Sequence, residues 1–281
     1  MADRRIIEHY ASGDFVARLD AALAAAGLDR PGIAPADLTF VDQFHSRGRK
    51  ATLELAEAAG LRPGLRVLDL GSGVGGPART LAAEFGCSVT GLDLVADYCR
   101  AARRLTRLTG LDDRVRFVCG SALQAPFHDG SFDVLWTQHA AMNIADKKRL
   151  YAECARLLVP CGRLALNDVV AGLAGPPHFP APWARDPATS FLATADELRG
   201  RLAVAGFQIV SWEDRTETVA DWAKEALAKQ AARAASGAGE PALGLHLLLG
   251  PDFPRMADNF ARSLAERRVE VVSAVLEIGC R

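Results

Sequence analysis

The segment VLDLGSGVGGP, from Val67 to Pro77, constrains the fold of this chain more than any other part of the sequence. A short apolar run is followed at once by Gly71, Gly73, Gly75 and Gly76. Glycines are needed where a strand turns sharply into a helix and the backbone passes close to a ligand. The helix that follows offers free N–H groups and a partial positive charge. The segment therefore predicts a strand, a ligand-binding loop and a helix.

Apolar runs alternate with helical patterns through the rest of the chain, as expected for a parallel sheet covered by helices. Runs such as Val134-Leu135-Trp136 are continuous and not alternating, which indicates strands buried on both faces. The predicted strands are Arg66–Leu70, Ser88–Asp93, Val115–Cys119, Phe132–Thr137, Gly162–Asn167, Phe207–Glu213 and Val269–Ile278. The pattern predicts an α/β fold with a mostly parallel, seven-stranded, doubly wound sheet.

Helix ends are readable from capping residues. Pro77 lies just inside one helix start and Gly86 just past its end. Thr194 and Glu197 form a capping box at the start of another helix. The predicted helices are Asp14–Ala26, one between Pro77 and Gly86, one between Asp146 and Pro160, one between Thr194 and Gly206, and Asp221–Ala235.

Two stretches interrupt the alternation of strand and helix patterns. One, over 170–190, is rich in proline, glycine and aromatic residues, and the other, over 236–241, is irregular. Each is predicted to be an insertion into the sheet. The sequence therefore predicts a helical N-terminal extension over residues 1–35 and a main domain over 36–281, with lid or cap insertions at about 170–190 and 217–250. The helical N-terminal part is predicted to act as a lid.

Composition and charge exclude several classes of partner. Lys and Arg total 33 against 34 Asp and Glu, so the net charge is −1. A duplex-binding protein usually needs a clear basic excess, so nucleic acid is not expected as a partner. The apolar stretch Leu243–Leu249 is far shorter than the roughly 20 residues of a membrane span, and the segment Met1–Glu8 lacks an apolar signal core. The sequence predicts a cytoplasmic protein, monomeric or homodimeric, that does not bind membranes.

Cysteines and histidines are scattered along the chain. The six cysteines show no CxxC pair, and the six histidines show no HExxH motif. Buried free thiols in a reducing compartment are therefore expected, with neither disulfides nor a metal site.

The glycine loop has two interpretations. Gly71, Gly73 and Gly76 match the dinucleotide-binding fingerprint, and Asp93 lies where that fingerprint places a ribose-binding acid. Asp69 separates the two interpretations, because a carboxylate just before the loop repels a pyrophosphate but attracts an ammonium or sulfonium group. A cationic nucleoside ligand is favoured.

This motif resembles the class I S-adenosylmethionine-dependent methyltransferases, whose first motif is an acidic residue followed by a glycine loop. The resemblance implies a Rossmann-like fold and S-adenosylmethionine as cofactor. It implies that Asp93 binds the ribose hydroxyls, Leu94 lies beside the adenine, and Gly120-Ser121-Ala122-Leu123 forms the adenine-recognition segment. The expected cofactor-binding residues are Asp69, Gly71, Ser72, Gly73, Gly75, Asp93, Leu94, Ser121, Ala122, Leu123, Gln138 and Gln43.

Segments outside this motif resemble the sarcosine/dimethylglycine N-methyltransferase group and related bacterial small-molecule methyltransferases. They are Asp42–Gly48, Met142–Lys147, Pro182–Ala184 and Thr189–Leu192. The resemblance implies that Asp42–Gly48, expected within a helix, closes over the cofactor, and that Gln43 and His45 face the methyl donor. A small amine is therefore the first expectation for the methyl acceptor.

The candidate catalytic residues are His139, His45 and Asn143. His139 is placed at the end of the fourth strand, where it can act as a base toward a hydroxyl or carbon acid. Asn143 can orient the acceptor. The candidate acceptor-binding residues are the aromatic Phe44, Phe127, Phe179 and Trp183, which can face a cationic amine, and Arg185, which can bind a carboxylate.

Three alternatives stay open at this point. One is C- or O-methylation of an apolar metabolite on the same fold. Another is an NAD(P)-dependent oxidoreductase, which Asp69 disfavours. The third is a protein that keeps the cofactor fold without transferring a methyl group.

Overall fold

The structure is a computed structural model that describes residues 7, 9–10, 15–237 and 243–280. One seven-stranded sheet runs through the described residues in the order β3-β2-β1-β4-β5-β7-β6. Strand β7 is antiparallel to both of its neighbours, and the other pairs are parallel. The strands are β1 Arg66–Leu70, β2 Ser88–Asp93, β3 Val115–Cys119, β4 Phe132–Gln138, β5 Leu158–Ala171, β6 Phe207–Asp214 and β7 Val269–Ile278. The predicted α/β fold is confirmed.

The predicted strand bounds are confirmed for β1, β2, β3 and β7, and β4 and β6 each extend one residue further. Strand β5 is much longer than the predicted Gly162–Asn167. It pairs with β4 from Leu158 and with β7 as far as Ala171. Its last residues pair with an antiparallel partner far along the chain, which the local pattern does not reveal.

The helices lie mostly between successive strands and cover both faces of the sheet. They are α1 Phe15–Ala25, α2 Thr39–Asp42, α3 Gly48–Ala58, α4 Gly76–Phe85, α5 Ala96–Leu108, α6 Lys147–Leu157, α7 Ala195–Val204, α8 Thr216–Ala235, α9 His246–Leu249 and α10 Phe253–Ala265. The Thr194–Glu197 capping box is confirmed at the start of α7, and Gly86 adopts the left-handed conformation that ends α4.

Two predicted helix bounds are wrong. Helix α6 ends at Leu157, and Pro160 lies inside β5 and does not stop a helix. Helix α8 begins at Thr216, five residues before the predicted Asp221.

Of the predicted extension over residues 1–35, residues 1–6, 8 and 11–14 lie outside the described residues, as do 238–242 of the second irregular stretch. The domain boundary after residue 35 stays a prediction.

The segment before β1 is anchored to the glycine loop by a buried ion pair. The expectation that Asp42–Gly48 lies within one helix is wrong, because α2 ends at Asp42 and α3 begins at Gly48. The carboxylate of Asp42 accepts a hydrogen bond of 2.8 Å from Arg79 of α4, and both side chains are fully buried. Removal of one partner of such a pair costs about 3–5 kcal/mol. This segment therefore belongs to the folded core.

Two of the six cysteines are not free, which corrects the expectation from sequence. Cys161 and Cys280 form a disulfide. Arg163 and Glu277 are register partners in the β5–β7 pair, so the two cysteines near the ends of these strands are brought together. Their separation of 119 residues leaves no local motif. Of the free cysteines, Cys119 is exposed, and Cys87, Cys99 and Cys154 are buried.

A cap of two helices, α8 and α10, packs against the antiparallel side of the sheet. Its buried side chains form a cluster with Met142, Trp183 and Val271. Within the part of the chain that the structure describes, each helix is too short or too polar to cross a membrane.

Candidate active site

Two adjoining cavities lie at the carboxyl ends of the parallel strands. The first cavity has a volume of about 340 Å³ and extends from the glycine loop to the ends of β2 and β3. The second cavity, of about 280 Å³, lies between the loop after β4 and the cap helices. Phe44 and His139 line both cavities. A ligand in one cavity therefore meets a ligand in the other at these two side chains.

The glycine loop forms one wall of the first cavity. Gly71 and Gly73 line it and have φ values of 74° and 53°, a left-handed conformation that favours glycine. A Cβ atom on Gly71 would lie 2.4 Å from the Cβ atom of Ala140, so a side chain would collide with the loop after β4. The glycines let the backbone itself form the ligand surface.

Asp93 ties this loop to the next strand. Its Oδ2 accepts a hydrogen bond from the Gly73 N–H and its Oδ1 accepts one from the Val95 N–H, both at 2.8 Å. The carboxyl lines the first cavity and is nearly buried, and burial raises its pKa from the ordinary value. Each carboxylate oxygen keeps a second lone pair for a ligand.

The far wall of the first cavity is made by the ends of β2 and β3. Leu94 follows β2, and Ser121, Ala122 and Leu123 follow β3, and all four residues line the cavity. Tyr10 and Tyr98 complete the wall. This arrangement suits a flat, mostly apolar ring held beside a polar group bound by Asp93.

The second cavity has a small polar end and an apolar body. Its polar end consists of His45, Ser46 and His139, where Ser46 Oγ lies 3.1 Å from His139 Nε2. The body is lined by side chains such as Met142, Trp183 and those of the cap helices. No Asp, Glu, Lys or Arg side chain is among the described residues that line this cavity.

Both imidazoles at this polar end are neutral at physiological pH. Burial, and next the charge of His45, lower the pKa of His139 to about 3. Burial lowers the pKa of His45 to about 4, and its Nε2 lies 3.0 Å from both the Gly48 carbonyl oxygen and Thr52 Oγ1. His139 has a φ of 50°, an uncommon value outside glycine, and its N–H donates to the Asn167 carbonyl. A neutral, fixed imidazole where the cavities meet can accept a proton.

Comparison with known families decides between the interpretations of the glycine loop. Residues 68–166, from β1 to β5, match the methyltransferase domain family. The chain therefore carries a methyltransferase domain over these residues. The match favours the methyltransferase interpretation over a dinucleotide-dependent oxidoreductase.

Named relatives of this methyltransferase act on different kinds of acceptor. The chain is 32% identical to glycine/sarcosine/dimethylglycine N-methyltransferase of Actinopolyspora halophila over 63% of its own length and 31% of that protein. It is 33% identical to 27-O-demethylrifamycin SV methyltransferase of Amycolatopsis mediterranei over 63% of its length and 66% of that protein. The chain spans about half or less of the length of several curated relatives that it matches.

The fold also resembles a solved structure. A putative sarcosine dimethylglycine methyltransferase from Galdieria sulphuraria superimposes with a TM-score of 0.66 at 21% identity, over 82% of this chain and 84% of that one. A likeness at this level of identity concerns the fold.

The residues around the first cavity fit S-adenosylmethionine, the cofactor of this family. Backbone at Gly71 and Gly73 can lie against the methionine part, and Asp93 can accept the ribose hydroxyls. Asp69 does not line the cavity, but its buried Oδ2 has no hydrogen-bond partner among the described residues. Burial and the nearby charge of Asp93 raise its pKa to about 8. This unpaired oxygen leaves a hydrogen-bond position for a donor at the end of β1.

Besides Asp69, four residues expected to bind cofactor do not line the first cavity. They are Ser72, Gly75, Gln43 and Gln138. The two glutamines bind protein groups instead: Gln43 Nε2 donates to Thr80 Oγ1, and Gln138 Oε1 accepts from Trp136 Nε1. At Gly75 a Cβ atom would lie 2.5 Å from the Phe117 ring, so this glycine serves close packing.

Asn143 lines the first cavity and not the second, and its side chain is fully engaged. Its Nδ2 donates to the carbonyl oxygens of Trp183 and Thr189, and its Oδ1 accepts from the Tyr10 hydroxyl at 2.9 Å. No N–H of this amide is left to orient an acceptor. Asn143 therefore links the loop after β4 to Tyr10 on one side and to the segment that carries Trp183 and Thr189 on the other.

The candidate acceptor residues separate into two groups. Phe44 and Trp183 line the second cavity, whereas Phe179 packs only against the cluster beneath the cap. Phe127 packs against Phe132 at the opposite end of the sheet, where β4 begins. Arg185 is half exposed and forms an ion pair with Asp252, so it does not line the second cavity.

Functional residues that sequence reasoning missed come from distant segments. Tyr10, Tyr98 and Ser46 line the cavities, as do the inner faces of the two cap helices. Tyr10 contacts Phe44 and Tyr98 edge to face. The apolar stripe on α10 was a readable signal for a buried face, but nothing in the sequence indicated what that face covers.

Replacement of Tyr10 by phenylalanine tests whether the N-terminal segment holds ligand in the first cavity. The change removes one buried hydrogen bond to Asn143 and leaves the ring in place. Such a bond contributes about 1 kcal/mol, so we expect S-adenosylhomocysteine to bind about fivefold more weakly, mainly through faster dissociation. Stopped-flow fluorescence measures this rate. Tyr151→Phe, a buried tyrosine outside both cavities, is the control; equal rates for wild type and Tyr10→Phe would contradict the role.

Proposed function

We propose that this protein transfers the methyl group of S-adenosylmethionine to an oxygen or carbon atom of an apolar small molecule. The observation that carries the proposal is the lining of the second cavity, which is apolar apart from a neutral polar end. A zwitterionic amino acid placed there would leave its carboxylate without a cationic partner among the described residues. Burial of an unpaired charge is costly.

His139 is the proposed base. When bound, S-adenosylmethionine supplies an electrophilic methyl group that is displaced in line from sulfur. A hydroxyl or carbon acid must lose a proton during this displacement, and His139 stands at the junction of the two cavities to accept it. Its depressed pKa leaves the imidazole unprotonated at physiological pH but makes it a weak base, so it takes the proton late, once the new bond to the methyl group has made that proton acidic. Ser46, beside His139 Nε2, holds the ring in one orientation.

The other residues around the second cavity exclude water and align the acceptor. Trp183 is almost fully buried, and its Nε1 donates to Ser190 Oγ, which fixes the ring in the cavity wall. Phe44 lines both cavities beside His139. Close alignment of donor and acceptor in a dry cavity accounts for a large part of the acceleration in bimolecular transfer.

An amine acceptor is the second candidate function. It is supported by the 32% identity to the glycine/sarcosine/dimethylglycine enzyme and by the aromatic faces of Phe44 and Trp183. A neutral amine needs no base, so His139 would then have only a structural role.

A transfer assay with methyl-labelled S-adenosylmethionine separates the candidates. The acceptors are a panel of hydroxylated and enolisable apolar compounds beside glycine, sarcosine and dimethylglycine. We expect label in the organic-soluble product of an apolar acceptor. Label found only in the amino acids would overturn the proposal, and binding of S-adenosylhomocysteine without any transfer would indicate a protein that keeps the fold without methylating.

A further inference from the structure

We propose that the acceptor is an elongated, uncharged molecule whose apolar body lies between helices α8 and α10, and that Ala226 and Ala257 set the width of this channel. The inference rests on the proposed function and gives it a substrate class. Both alanines line the second cavity, one from each cap helix. The sequence pattern assigned no function to either alanine.

The shape of the second cavity argues for an extended acceptor. On α8 the lining residues run from Trp222 to Gln230, which corresponds to about 12 Å along a helix axis. On α10 they run from Phe253 to Phe260, a similar length. These two stretches set the length over which an acceptor body that fills this cavity can contact the cap helices.

The chemistry of the channel changes from one end to the other. His139 and Ser46 lie at the end that adjoins the first cavity, where the methyl group is transferred. Gln230, an exposed residue, and Trp222, which is 37% exposed, bound the α8 lining at its two ends, so the cavity reaches solvent along this helix. An acceptor with a reactive polar head, an apolar chain and a tail that reaches solvent matches this order. Between the two ends the lining is apolar.

Small residues keep the channel open. Ala223 and Ala226 lie on the same face of α8, and Ala257 lies on α10 between Phe253 and Phe260, one helical turn from each. Ala226 and Ala257 are only partly buried, so their methyl groups face the open channel. A larger side chain at either position would project into the space that an acceptor chain occupies. The rings of Phe253 and Phe260, on either side of Ala257, form the neighbouring parts of the cavity wall.

The test uses primary alcohols from butanol to dodecanol as probes, bound to the full-length protein saturated with S-adenosylhomocysteine. Titration calorimetry gives the affinities, and quenching of Trp183 and Trp222 fluorescence gives an independent signal. Each methylene buried in the channel is expected to strengthen binding about fourfold. Affinity should therefore rise with chain length until the channel is filled.

Ala226→Leu is expected to leave butanol binding unchanged and to weaken decanol binding at least tenfold. Leucine preserves helix propensity, and S-adenosylhomocysteine affinity should stay at the wild-type value. Ala257→Leu, on the other helix, is expected to have the same effect. It replaces Ala226→Leu in the test if that variant folds poorly. Ala228→Leu is the matched control, because Ala228 is exposed on α8 outside the cavity. It should bind the whole series like wild type.

Two results would overturn the channel. One is an affinity that does not change with chain length in the wild type, and the other is equal decanol binding by wild type, Ala226→Leu and Ala257→Leu. Failure of the proposed function looks different. In that case the length dependence and its loss in the variants persist, while the labelled-methyl assay gives no product with any apolar acceptor.

Discussion

Replacement of Asp93 by alanine is expected to weaken the binding of S-adenosylmethionine at least tenfold. The carboxylate holds the Gly73 and Val95 N–H groups at 2.8 Å and faces the first cavity with its remaining lone pairs. Hydrogen bonds to a charged group contribute about 1.5–3 kcal/mol each. Loss of one bond to the ribose therefore accounts for a tenfold effect, and loosening of the glycine loop adds to it. Titration calorimetry with S-adenosylhomocysteine measures the change.

Two further variants make this result specific to the first cavity. Asp93→Asn keeps the size of the side chain but loses its charge and replaces one acceptor oxygen by a donor, so it should also bind weakly. Asp112→Ala removes an exposed carboxylate outside both cavities and should bind like wild type. Thermal unfolding separates lost binding from lost folding. If Asp93→Ala binds within twofold of wild type in a folded state, the ligand does not lie over this loop.

The cofactor side of the site could be predicted from sequence because it is built from strand ends. A parallel sheet brings the carboxyl ends of β1, β2 and β3 to one edge, so Gly71, Asp93 and Ser121 meet although they are far apart in sequence. The apolar cores of these strands were clear, and the observed bounds agree with the predicted ones. The order of strands follows from the fold class, and that order sets the position of each strand-end residue that lines the first cavity.

The acceptor side could not be predicted in the same way. The second cavity joins Phe44 from the segment before β1, His139 from the end of β4 and side chains of α8 and α10. No strand register brings these segments together; only packing of the cap does so. The glutamines show a second limit, since a polar residue near a strand end can bind a ligand or, as Gln138 does, a neighbouring side chain. Local pattern does not separate these outcomes.

The same limit explains Arg185 and the cysteines. An arginine in an aromatic loop can bind a ligand carboxylate, but here Asp252, which directly precedes α10, pairs with it. Cys161 and Cys280 meet through the β5–β7 register. In each case the partner is a residue more than sixty positions away. The identity of that partner decides whether the side chain serves ligand or protein.

Replacement of His139 by alanine is expected to lower kcat by about 10²–10⁴-fold if the acceptor must lose a proton, which is the range for a positioned general base. Binding of S-adenosylhomocysteine should change far less, because the groups that we propose hold it are at the glycine loop and Asp93. His128→Ala, an exposed histidine outside both cavities, is the control and should keep the wild-type rate. Single-turnover transfer of a labelled methyl group measures the chemical step directly.

The pH profile gives a second readout that a merely structural histidine would not produce. A base acts only without its proton, and burial lowers the pKa of His139 to about 3. Titration of His139 should therefore leave the wild-type rate constant between about pH 5 and 9. A histidine with an ordinary pKa of about 6.5 would instead make the rate fall as the pH drops below that value. An amine acceptor would instead give a rate that rises with pH until the amine itself is deprotonated. Two results together would contradict the role of His139 as a base: a His139→Ala rate within threefold of wild type, and a rate that rises with pH in this way. They would show that the nucleophile needs no base and would assign the second cavity to amines.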